Sequence, residues 1–465
     1  MILKMKTELY DYQRAAVEKL LPLKIGALYM EMGTGKTRTA LEIIKYRMDK
    51  GKINAVIWLC PCSVKRNLRN DIMFHCGEMP QEITICGIET LSTSVKWNEK
   101  MRQLAGEKTM LIVDESNLVK NPHALRTEHI TALAQMCKYR MILNGTPVTR
   151  NYADLFSQWY LLDWRVLGYK SPYSFAANHL QYDKRIPGKV VANLNVEYLT
   201  RRIAPYSYQV LKSEVLDLPQ KHYHTYVTHM TADQSQEYWE VGMAMIELLD
   251  EYIPSTIYRM FTALQLVISG NYVSGLRRHI KSTPMFTHPI DNPRIQALLD
   301  IVSDIDGKII IFCKFTREIR DICNVLNAEY GTGNAVEFTG ELTQSCRNKN
   351  LDTFKTSARF LVANKTCAGY GLNLQFCHNV IFYSNDFNWG TRSQAEDRVH
   401  RIGQSCDVHI WDIICDSTLD ERILSCLSNK ESMLSNFKRE VKNIKDDKEI
   451  AKKWILGGMK NENIH

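Results

Sequence analysis

At 465 residues the chain is about three times the ~150-residue scale of one domain, which excludes a single small module and predicts two packed domains with extra segments. Hydrophobic residues at 45% and charged residues at 24% exclude wholesale disorder and a fibrous repeat. A net charge of +8, from 59 Lys and Arg against 51 Asp and Glu, permits a polyanionic partner without requiring one.

In chain order, Met30–Thr37 is a glycine-bearing loop and Arg38–Met48 has helical composition. Short apolar runs follow at Ala55–Cys60, Met110–Val113 and Arg140–Leu143, then at Lys308–Cys313, Phe360–Ala363 and Val380–Tyr383. Such runs, bounded by polar turns and separated by helical segments, predict buried strands of parallel α/β sheets. Between the two sets, residues 164–289 are rich in Tyr and polar stretches and carry helical patterns such as Gln234–Tyr252. The expected domains are 1–163 (α/β), 164–289 (a mostly helical insertion and linker), 290–427 (a second α/β domain) and a basic helical tail, 428–465. No run approaches the ~18 apolar residues of a membrane span, and Met1-Ile2-Leu3-Lys4 begins no apolar signal region, so a cytoplasmic protein without membrane contact is expected. The 13 cysteines include no C-x-x-C pair, which points to reduced thiols rather than a zinc ribbon or disulfide framework. His222-x-His224 with His229 reads as alternation along a strand rather than a metal cluster.

The chemistry begins at Met30-Glu31-Met32-Gly33-Thr34-Gly35-Lys36-Thr37. Glycines let backbone N–H groups turn onto phosphates, Lys36 adds a point charge, and the Thr37 hydroxyl is placed to ligate Mg²⁺. Met30 stands where a strict phosphate loop has its first Gly. The second half is Met110–Val113 followed by Asp114-Glu115: Asp114 at a strand end is suited to hold the same Mg²⁺, and Glu115 to orient and deprotonate water. Loop, strand and acid pair in this order favour nucleoside-triphosphate hydrolysis. In the second half of the chain, Arg398 and Arg401 are three apart, which on one helical turn projects both guanidinium groups to one side, where they suit a γ-phosphate.

These strings, taken in order, resemble superfamily 2 helicases and, among them, the Swi/Snf type of DNA-dependent ATPase. Leu9-Tyr10-Asp11-Tyr12-Gln13 resembles the adenine-reading segment, with Gln13 the implied base contact. Asp114-Glu115-Ser116-Asn117 and Leu143-Asn144-Gly145-Thr146-Pro147 resemble the acid motif and the motif coupling hydrolysis to movement. Asn364–Leu374 is similar to the fifth motif, and His400-Arg401-Ile402-Gly403-Gln404 is the most discriminating string. The resemblance implies two RecA-like parallel-sheet domains, ATP and Mg²⁺ as cofactors, arginine fingers at Arg398 and Arg401, and nucleotide contacts at Gln13, Gly33, Thr34, Gly35, Lys36, Thr37, Gly371 and Gln404. Coupling falls to Asn144, Gly145, Thr146 and Pro147. Asn117, Asn144 and Tyr370 depart from the family's usual His, Ser and Gly, which puts coupling rather than hydrolysis in question.

By the same resemblance DNA phosphates are held by Ser63, Lys65, Arg66, Lys314, Thr316, Arg347, Lys365 and Thr366, in a sequence-independent and salt-sensitive way. The implied partner is DNA, whether duplex, single strand or branched, and a monomer is expected. The primary expectation is an ATP-driven helicase or translocase that unwinds or branch-migrates forked DNA in replication, recombination or repair. The alternatives are a duplex translocase that displaces bound protein and an ATP-dependent binding switch with little turnover. A compact motor without chromatin modules suits a phage or bacterial genome.

Overall fold

The computed structural model describes residues 3–145, 152–183, 190–247, 254–277, 279–365 and 372–429, and the chain divides into two units at Leu218/Pro219. In the first, β1 (Ile25–Met30), β2 (Ala55–Cys60), β3 (Ile83–Gly87), β4 (Thr109–Asp114) and β5 (Tyr139–Asn144) form a sheet. A short antiparallel pair follows, β6 (Leu180–Tyr182) and β7 (Val190–Asn193), before β8 (Ser207–Val210) returns to the main sheet. Its order is β3-β2-β4-β5-β1-β8, and every pairing is parallel. Side chains alternate across it: β1 sends Ala27 and Tyr29 into one apolar cluster and Leu28 and Met30 into another. Both faces are therefore covered, as an all-parallel sheet requires.

The second unit repeats the plan. It contains β9 (Lys221–Thr228), a separate antiparallel pair β10 (Asn271–Ser274) and β11 (Lys281–Pro284), then β12 (Ile309–Cys313), β13 (Ala335–Phe338), β14 (Phe360–Asn364), β15 (Asn379–Phe382) and β16 (Val408–Cys415). The main sheet has order β13-β14-β12-β15-β16-β9, again wholly parallel. Among the described residues no helix is long and apolar enough to cross a membrane.

All six predicted strands are present, and both sheets are doubly covered α/β layers as expected. The segment 164–289 differs from the expected single helical insertion. The expected cut at 163 falls inside the kinked helix Ala153–Leu167, and the segment itself is shared between the units: β8 finishes the first sheet and β9 the second. Helices Pro172–His179, Val196–Ile203, Ala232–Glu247 and Pro254–Ile268 alternate with strands β6–β11. The physical reason is that β8 and β9 are edge strands with polar, partly exposed residues, so neither carries the continuous apolar run that marks a central strand. The tail beyond residue 429 lies outside the described residues.

Candidate nucleotide site and arginine turn

β1 delivers the chain into the loop Glu31–Gly35, and the helix Lys36–Asp49 starts immediately after it. Gly33 and Gly35 take φ of 81° and 84°, a left-handed backbone that L side chains adopt only with strain. At Gly35 a Cβ would also collide with Gln13 Nε2. Gln13 is buried and donates to Thr34 O at 3.0 Å, while its Oε1 accepts from Tyr10 N at 3.1 Å. Tyr12 donates to the same carbonyl at 3.0 Å. Gln13 thus braces the phosphate loop from behind, with both ends of its amide engaged. Lys36 Nζ donates to Met30 O at 2.9 Å and Glu31 O at 3.4 Å, so the loop's own carbonyls hold the ammonium at its mouth. Met30 participates through its backbone while its side chain lies in the core, which is why the missing first glycine does not disturb the loop.

β4 ends on Asp114. Burial and the neighbouring Glu115 push the Asp114 carboxyl up to about 7, against the opposing pull of Lys36. Glu115 sits at φ 49°, ψ 54°, a left-handed non-glycine residue of the kind that concentrates at functional sites. Its N–H donates to Asp114 Oδ1 at 2.9 Å. Thr37, in the first turn of the loop helix, is partly exposed. A half-buried carboxylate short of counter-charge suits a divalent cation, and Thr37 and Asp114 are the oxygen donors of the right type. Behind the acid pair, Asn144 Nδ2 donates to Ser116 Oγ at 3.4 Å, Ser116 donates to Gln158 Oε1 at 2.6 Å, and Gln158 donates to Asp154 O at 2.7 Å. This fully buried chain joins the acid motif to the end of β5. Gly145 lies against the phosphate loop, its absent Cβ being 3.5 Å from Met32 N and 3.6 Å from Met30 O. Thr146 and Pro147 lie outside the described residues. Asn117 Oδ1 is a buried acceptor with no partner among the described residues, at the position where the family usually carries His.

In the second unit, Arg398 and Arg401 do not share a helical turn. The helix Trp389–Glu396 ends first, and the backbone bonding becomes mixed: Arg398 N to Ala395 O at 3.3 Å and Val399 N to Glu396 O at 3.1 Å have three-residue spacing, and His400 N to Glu396 O at 2.9 Å has four. Both arginines stand in the turns that follow, Arg398 being 6% exposed. Gln404 closes these turns from inside, donating to Cys377 O at 2.9 Å and accepting from Cys406 N at 3.0 Å. Its amide is therefore occupied by backbone groups rather than offered to a nucleotide.

The expected DNA contacts separate into two groups. Ser63 lies in the short helix Cys62–Val64, and Lys65 and Arg66 begin the helix Lys65–Cys76 with Arg66 exposed. Thr316 opens the helix Thr316–Tyr330, and Arg347, partly exposed, is on Gln344–Thr356. Lys314 and Lys365 correct the expectation. Lys314 Nζ donates to Gln265 Oε1 and lies 4.1 Å from the centre of the Phe387 ring, and burial lowers it to about 8. Lys365 is 1% exposed, with Nζ 3.4 Å from Asn385 Oδ1 and 3.9 Å from Asp386 Oδ1. An ammonium turned into the interior does not present itself to a phosphate. Thr366 and Gly371 lie outside the described residues.

Sequence reasoning missed Arg392. Its guanidinium, 3% exposed, donates to both oxygens of Asp412 at 2.5 and 2.9 Å, to Glu396 Oε1 at 2.8 Å and to Asn385 Oδ1 at 2.9 Å, over the Phe382 ring at 3.5 Å. The only signal was the i,i+4 spacing of Arg392 and Glu396, which surface pairs share.

Residues 6–70 match the type III restriction enzyme res subunit, 74–266 the SNF2-related domain and 293–403 the helicase conserved C-terminal domain. The uncharacterized ATP-dependent helicase YqhH of Bacillus subtilis is 23% identical over 89% of this chain and 76% of its own length. The TATA-binding protein-associated factor MOT1 of Saccharomyces cerevisiae is 24% identical over 92% of this chain, which spans 27% of that protein. A probable chromatin-remodeling complex ATPase chain of Oryza sativa subsp. japonica is 24% identical over 90% of this chain, which spans 40% of it. Among solved structures, the Sulfolobus solfataricus SWI2/SNF2 ATPase core in complex with dsDNA is 23% identical, covers 97% of each chain and has a TM-score of 0.42. The chain thus carries an SNF2-related domain followed by a helicase conserved C-terminal domain, and with the phosphate loop and acid pair it is homologous to Snf2-type cores of superfamily 2.

Proposed function

We propose that this chain hydrolyses ATP to move along DNA, and that it acts on forked or branched duplexes by unwinding or branch migration. The observation that carries the motor reading is the arrangement at the ends of β1 and β4: a glycine loop with Lys36 at its mouth, and a charge-deficient Asp114 beside a strained Glu115. Loop N–H groups and Lys36 bind the phosphates, the ammonium exchanging its carbonyl partners for phosphate oxygens. Thr37 and Asp114 hold Mg²⁺, which when bound neutralises phosphate charge. Glu115 orients and deprotonates the attacking water, and Arg398 and Arg401 offset the charge that develops on the phosphoryl group. The Asn144–Ser116–Gln158 chain is the route by which a change at the acid pair reaches the segment after β5.

A second reading, displacement of DNA-bound protein, is favoured by relatives named as a TATA-binding protein-associated factor and a chromatin-remodeling ATPase. ATP hydrolysis measured without DNA and with linear duplex, single strand and a synthetic fork, alongside release of a labelled strand, separates the two. Fork-selective stimulation with strand release supports the proposal; duplex stimulation without release moves it to the second reading. Lys36→Ala and Arg401→Ala are each expected to lower DNA-stimulated turnover by about 10³-fold. Retained stimulation in either variant overturns the mechanism.

A further inference from the structure

Residues 397–404 lie beyond the helix in successive turns, with one bond of helical spacing from His400 N to Glu396 O at 2.9 Å, so the placement of Arg398 and Arg401 depends on side-chain anchors as well as on backbone bonds. Two anchors lead to one place. His400 Nε2 lies 2.8 Å from Pro219 O, and because a carbonyl only accepts, the imidazole nitrogen is the donor. Glu396, the last residue of the preceding helix, accepts from Lys221 Nζ and Tyr223 OH, both at 2.9 Å, while its other oxygen faces Arg392. Burial alone would raise the Glu396 carboxyl, but Lys221 and Arg392 hold it below the ordinary carboxylate value, so it stays ionised as an acceptor. Pro219, Lys221 and Tyr223 are the first residues of the second unit and the beginning of its edge strand β9.

From this convergence we infer that His400 and Glu396 are positioning residues, which tie the arginine-bearing turn to the segment where the chain passes from the first unit into the second. The inference rests on the proposed role of Arg398 and Arg401. Neither positioning residue touches nucleotide; each fixes the backbone that carries the arginines, so a shift of the 219–223 segment is passed to them through two short links. Gln404 and the bond from Leu374 N to Arg398 O, at 3.1 Å, hold the other end of the turn to the body of the second unit.

The test uses the full chain with His400→Ala, His400→Gln and Tyr223→Phe. Because an ångström-scale misplacement of catalytic groups is worth up to about 100-fold in rate, His400→Ala is expected to lower kcat for DNA-stimulated ATP hydrolysis by about 10-fold or more, with KM for ATP changed less than about twofold. His400→Gln, which restores an N–H donor, recovers most of the loss, and Tyr223→Phe gives a smaller fall in kcat. Thermal unfolding checks that each variant is folded. Amide exchange of residues 397–404 gives a readout that needs no turnover: faster exchange in His400→Ala and normal exchange in His400→Gln support the inference. Unchanged kcat in a folded His400→Ala, absence of rescue by Gln, or unaltered exchange overturns it. If the unaltered protein hydrolyses no ATP, the proposed function fails, and the exchange measurement alone decides whether His400 fixes the turn.

Discussion

The acid pair of the first unit and the Arg392 network of the second both place charge in a protein interior, and they resolve its desolvation in opposite ways. Around Arg392 each charge is answered: Asp412 binds the guanidinium with both oxygens, and Glu396 is shared between Arg392 and Lys221. At Asp114 the balance is left open: burial and the adjacent Glu115 outweigh the pull of Lys36, and the Asp114 carboxyl is pushed up to about 7. A closed network stabilises one arrangement and resists change. An open one gains most when a cation or phosphate arrives, so the first suits architecture and the second suits the proposed receiving site.

The largest expected effect lies in the closed network. Arg392→Met leaves the buried Asp412 without its guanidinium, bonded to the Asn385 amide, and denaturant unfolding should show a loss of about 3–5 kcal/mol. A loss below about 1 kcal/mol breaks the comparison, because the network would then be no more than a set of surface-grade pairs. At the open site the sign is reversed. The Asp114 carboxyl binds its proton more tightly in the folded chain, so the associated stability is full below about pH 4 and is lost as pH rises through about 7. Without ATP or Mg²⁺, Asp114→Asn should therefore be more stable than the unaltered protein by roughly 1–3 kcal/mol at pH 8, the gap closing as pH falls from about 7 towards about 4. Melting curves across that range check it, and a constant gap argues against charge as the cause. The smallest effect concerns Glu115. Its left-handed backbone predicts that Glu115→Gly is more stable than Glu115→Ala by about 0.5–1 kcal/mol, the reverse of the usual order, while neither hydrolyses ATP.

The sequence made the receiving site legible because its parts are local in the chain. A glycine loop, an apolar run and two acids each identify themselves within a few residues, and β2, β4, β5, β12, β14 and β15 were visible as buried runs. The closed network was illegible because Lys221, Asn385, Arg392, Glu396 and Asp412 are brought together by strand order, which puts β9 beside β16 and β16 beside β15. The helical reading of Arg398 and Arg401 failed for a related reason: three-residue spacing is common to helices and successive turns, and only the three-dimensional anchors distinguish them. Lys314 and Lys365 look basic and available in sequence, whereas the fold turns their ammonium groups inward.

The position of β8 has a consequence for synthesis. β1, which leads into the phosphate loop, is paired with β5 on one side and with β8, Ser207–Val210, on the other, and its six residues are all buried. A nascent chain therefore exposes a fully apolar strand edge for about 10–35 s at ~5–20 residues per second before the covering strand exists, a period in which intermolecular pairing competes with folding. A fragment ending at residue 163 would keep that edge open permanently. One ending after Leu218 contains every strand of the first sheet, so the late-arriving edge sets where the unit can be cut.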